Sequence, residues 1–71
     1  MRRFSAPDGA LWDAVIGRES WGTFVVLFTP AAGGEPRKAV IAEETALSAE
    51  TELGAKSDAA LRALLAESSP W

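Results

Sequence analysis

Between residues 11 and 29 the chain is apolar on both phases of a two-residue repeat. Residues 11–16 and 21–29 are rich in β-branched and aromatic side chains, and Gly17-Arg18-Glu19-Ser20 between them has the composition of a hairpin loop, so two antiparallel strands are predicted. Pro7-Asp8-Gly9 is a turn signal, because proline presets φ and glycine accepts positive φ, which makes residues 2–6 a first short strand. The segment from Pro30 to Pro36 encloses Gly33-Gly34 and reads as a loop; residues 37–44, through Ala39, Val40 and Ile41, then read as another strand.

After residue 45 the period changes. Ala, Leu, Glu, Lys and Arg dominate, and they favour helix. A short helix is predicted over residues 46–53, ended by Gly54. A second is predicted over residues 58–67, capped by Ser57, with Leu61, Leu64 and Leu65 on one face. Ser68-Ser69-Pro70 ends it and leaves Trp71 as a tail residue. The expected fold is α+β: a three- or four-stranded antiparallel meander sheet over residues 1–44, one or two short C-terminal helices over residues 46–67, and a tail over residues 68–71, in one small domain.

The strands carry the most information about function. With a four-residue loop, Ile16 faces Trp21, Ala14 faces Thr23 and Trp12 faces Val25. One sheet face then bears Trp12, Ile16, Trp21, Val25 and Leu27, and the other bears Leu11, Val15, Phe24, Val26 and Phe28. Antiparallel sheets usually keep one face wet, so two apolar faces require two covers. The amphipathic helical segment covers one. The other is expected to be an interface, with Trp12, Ile16, Trp21, Val25, Leu27 and Trp71 as its candidate residues. Trp71 is expected either to dock on its own domain or to touch a partner.

Composition sharpens this. At 71 residues the chain is short for an unaided core, and with no Cys and no His it has neither disulfides nor the commonest metal ligands to compensate. The 48% apolar and 24% charged residues still argue for a folded chain rather than a disordered one. Met1-Arg2-Arg3 is followed by Ser5-Ala6-Pro7-Asp8-Gly9 where a signal peptide needs an apolar stretch, and no run is long enough to span a bilayer, so a cytoplasmic, membrane-free protein is expected. The Ala-rich composition, with Arg above Lys, is that of a GC-rich bacterial genome.

The candidate chemistry is thin. Without His or Cys the usual activated nucleophiles are missing, and Lys56 beside Ser57 is better explained by helix capping. Glu43-Glu44, adjacent on a predicted strand, point to opposite faces and make a poor carboxylate pair or metal site. Gly33-Gly34 lacks the Lys-Ser/Thr of a phosphate loop. Net charge is −3, with the acidity in the C-terminal part, which disfavours nucleic acid.

The function predicted is therefore a non-enzymatic protein-interaction module without cofactor or metal, whose partner is itself, as a homodimer, or another protein that it serves as an accessory subunit. The alternative is a small barrel that binds nucleic acid or a small ligand through aromatic residues and Arg2, Arg3, Arg37 and Lys38.

Overall fold

A computed structural model describes residues 1–19 and 22–71. In chain order the elements are β1 (Arg2–Ser5), β2 (Leu11–Arg18), β3 (Phe24–Pro30), β4 (Arg37–Ile41), α1 (Ala46–Ala55), α2 (Asp58–Glu67) and β5 (Ser69–Pro70). The strands lie in the order β1-β2-β3-β4-β5 and every neighbouring pair is antiparallel, so the fold is α+β, a meander with two helices inserted before its last strand. The sheet is open. Its first and last strands stand at opposite edges, which replaces the predicted barrel of the alternative function with a sheet that does not close.

The turn between β1 and β2 forms as its residues dictate. Gly9 takes a φ of 87°, the Gly9 N–H donates to the Ala6 carbonyl at 2.9 Å, and the Asp8 carboxylate accepts from the Ala10 N–H at 3.0 Å. The next connection differs from expectation. Strand β2 continues through Gly17 and Arg18, the last ladder pair is Arg18↔Phe24, and the Glu19 N–H reaches the Thr23 carbonyl at 2.7 Å. Five residues, 19–23, therefore join the strands instead of four.

Pairing follows: Ile16 faces Val26, Ala14 faces Phe28 and Trp12 faces Pro30. Relative to the predicted register the slip is an odd number of residues, and an odd slip exchanges the faces of one strand against the other. Trp12 and Ile16 thus share a face with Phe24, Val26 and Phe28, while Leu11 and Val15 share the opposite face with Val25 and Leu27. Gly17 fits this register: it pairs with Val25, and a Cβ built there would stand 2.7 Å from Leu27 Cδ1, so the residue that looks like part of a loop leaves room for Leu27 across it.

Both helices pack on the first of these faces. Phe4, Ala14, Val26, Phe28 and Ala39 from the sheet enclose Leu53 of α1 and Leu61 of α2, with Leu64 and Leu65 packed at the margin. The Phe4 and Phe28 rings meet edge-to-face, centroids 5.8 Å apart at 75°. Ser57 caps α2 as expected, its hydroxyl accepting from the Ala60 N–H at 3.1 Å, and Thr45 caps α1 by accepting from the Ser48 N–H at 3.1 Å.

Gly54 does not end α1, which runs on to Ala55. The terminal carbonyls are taken instead by Arg2, whose Nη1 donates to the carbonyls of Leu53 (3.2 Å), Gly54 (3.3 Å) and Lys56 (2.7 Å) while Nη2 reaches Asp58 Oδ1 at 3.0 Å. One guanidinium from the edge strand thereby satisfies the end of α1 and pairs with the start of α2.

Candidate interaction face

The register defines the face that the helices leave uncovered. In rows across the strands it carries Arg3, Asp13 and Thr29; then Val15, Leu27, Lys38 and Ser69; then Gly17, Val25 and Val40; Leu11 lies at the far end, opposite Ser5. Val40 is 63% exposed and Leu11 47%, whereas Val15 and Leu27 are half-buried. Sheet sequence alone explains this composition: β-branched and aliphatic residues form the strands, and among the described residues no helix lies on this side.

Val25 is fully buried on the same face. Lys38 Nζ meets Glu19 Oε2 at 2.6 Å, and with Lys38 on β4 and Glu19 at the end of β2, the ion pair crosses β3 over Val25. The Lys38 head thereby keeps a charge partner. The ring of Trp71 lies over the same ammonium, 5.2 Å from Nζ to the centroid, and the Trp71 N–H donates to the Pro36 carbonyl at 3.1 Å. Trp71 therefore docks on its own domain while 60% of its surface stays exposed.

The six residues expected to form one interface are divided. Trp12 and Ile16 are half-buried beside the core under the helices, Val25 and Leu27 lie on the uncovered face, Trp71 stands at the margin of that face, and Trp21 lies outside the described residues. Val15 and Val40 join Leu27 there instead. Alternation with Ala39 and Ile41 around Val40 is the sequence signal that singles it out.

The basic residues are dispersed rather than clustered. Arg2 and Arg37 stand on β1 and β4, three strand spacings or roughly 14 Å apart. Arg2 holds the helix junction. Arg37 Nε donates to Ser68 Oγ at 2.8 Å and its Nη2 to the Ser68 carbonyl, and Arg62 Nε donates to the Ser5 carbonyl at 2.7 Å. Arg18 lies over the Phe24 ring at 4.8 Å.

Arg3 Nε and Nη2 donate to the two carboxylate oxygens of Asp13 at 2.9 and 3.1 Å. These hydrogen bonds hold the Asp13 carboxyl below its ordinary range; lost hydration opposes them and the Arg3 charge adds to them. A carboxyl more acidic folded than unfolded stabilises fully above the unfolded value of about 3.9, and that contribution disappears as pH falls through the lower folded value. Asp13→Asn is accordingly expected to lower the urea midpoint at neutral pH, and its difference from the parent to shrink as pH falls below the ordinary carboxylate range. A difference that persists in acid contradicts the pairing as its source.

The other chemical candidates resolve locally. Strand β4 stops at Ile41, so Glu43 and Glu44 lie in the connection to α1 and not on a strand. Ser57 is spent on capping, and Lys56 Nζ sits 3.4 Å from Glu52 Oε1. Gly33 and Gly34 lie between two strands, away from any helix start. Among the described residues there is no grouping of three or more potential metal ligands and no pocket, and no helix is long and apolar enough to cross a membrane.

No family model, curated protein or solved structure matches this chain. Its functional reading therefore rests on the uncovered sheet face.

Proposed function

We propose that this chain is a non-enzymatic interaction module, working in the cytoplasm, whose uncovered sheet face packs against the same face of a second copy. The observation that carries it is the one-sided placement of the helices: both pack on the face that bears Phe28 and Ala39, leaving Val40 63% exposed on the same opposite face as Val15 and Leu27. Domains normally bury such a face in a second layer, and two sheets stack face to face at about 10 Å.

A second copy suits the charge on this face. In a two-fold interface each patch meets itself, so unpaired charges would repel their own copies. Arg3 is already paired with Asp13 and Lys38 with Glu19, which leaves the patch neutral. The same pairs, with Arg2, Arg37 and Arg62 committed to carbonyls, argue against the phosphate-binding alternative.

Val40→Glu tests the proposal with little risk to the fold, because the side chain is largely exposed. The parent is expected to show a dimer mass by light scattering and the variant a monomer mass, with unchanged circular dichroism. A monomeric parent across the concentration series, or a variant of unchanged dimer mass, overturns it.

A further inference from the structure

We infer that residues 69–71 form a strap that guards the first part of the outer edge of β4, at Arg37 and Lys38, against pairing with another chain. Without the strap, β4 would end the sheet, with its backbone groups from Pro36 to Lys38 open on the outer edge. Such an edge offers unpaired backbone groups to any extended segment that reaches it.

The chain returns from α2 to cover that stretch, and the pairing stops short of Ala39, Val40 and Ile41. Lys38 pairs with Ser69 and Arg37 with Pro70, and the Trp71 N–H donates to the Pro36 carbonyl. Hydrogen-bonded and non-hydrogen-bonded pairs alternate along an antiparallel ladder, so the bond at Trp71 and Pro36 makes Pro70 and Arg37 a non-hydrogen-bonded pair. A residue in such a pair turns its N–H position away from the partner strand. Pro70 therefore stands where an outward donor would be, and it has none. The sheet gains a strand whose own outer edge cannot donate at that position.

The strap is anchored at both ends and little buried between them. At one end Ser68 is buried, held by Arg37 and by its own hydroxyl on the Leu65 carbonyl at 2.5 Å; at the other, Trp71 rests on Lys38. Ser69 and Pro70 are exposed, so few contacts oppose local opening. The guard is independent of the face-to-face dimer, because it acts in the plane of the sheet.

Two variants test it: truncation of residues 69–71, and Pro70→Val, which keeps every anchor and restores an outward N–H. Each is expected to associate beyond the parent in a concentration series by light scattering, with species of at least about twice the parent's mass. Pro70→Val decides the matter even where the truncation fails to fold. If folded Pro70→Val keeps the parent's mass at every concentration, or the folded truncation does so, the strap is not a guard.

Discussion

Phe28→Ala is expected to leave the domain at the margin of unfolding, at a cost of about 3–5 kcal/mol. A chain of this length has a total stability of roughly 4–10 kcal/mol, so the loss is a large share of it. Phe28 lies on β3, the middle strand, with no exposed surface, and its ring fills the space above Ala14 and against Phe4. Ala14 is too small to fill the void, and the strands on either side are fixed by their ladders, so the cavity has no means of collapse. Urea denaturation followed by tryptophan fluorescence and circular dichroism measures it. A loss below about 1 kcal/mol contradicts the central place of Phe28 in the core.

Leu61→Ala is expected to cost about 2–5 kcal/mol, whereas Leu47→Ala should stay within about 0.5 kcal/mol of the parent. Both are leucines on short helices, and only position separates them. Leu61 is fully buried against the sheet; Leu47 is 78% exposed. Loosening α2 at Leu61 also slackens what it carries, namely the bond from Arg62 to the Ser5 carbonyl and the Ser68 anchor of β5. Thermal unfolding of the two variants side by side provides the test, and equal midpoints would contradict the packing.

Helix α2 was legible in the sequence because three signals agree on it: Ser57 as cap, Asp58 in the first turn, and leucines at 61, 64 and 65. Strands β2, β3 and β4 were legible for a similar reason, since runs with β-branched residues alternate with turn residues, and β1 because the Pro7-Asp8-Gly9 turn follows it. The register of β2 and β3 was not, because Gly17 and Arg18 have loop composition and enter the ladder only through contacts with Leu27 and Phe24 on the facing strand. Strand β5 consists of Ser69 and Pro70, which carry no strand preference; its position comes from Arg37 gripping Ser68, 31 residues away in sequence.

The candidate face shows the same division. An apolar face in excess of what two helices cover could be read from residues 11–29, and that excess persists on the side of Val15, Leu27 and Val40. Which tryptophans belonged to it could not, since one odd shift of register moves Trp12 and Ile16 beneath the helices. The roles of the arginines were equally hidden: Arg2 and Arg62 each act on backbone more than fifty residues away.

The uncovered face is tested most directly by following methyl resonances of the unmodified chain through a dilution series. Face-to-face association predicts concentration-dependent shifts at Val15, Leu27 and Val40, with Leu53 and Leu61 beneath the helices unchanged. Methyl shifts that stay constant on the uncovered face, or that move on the helix side instead, would contradict it.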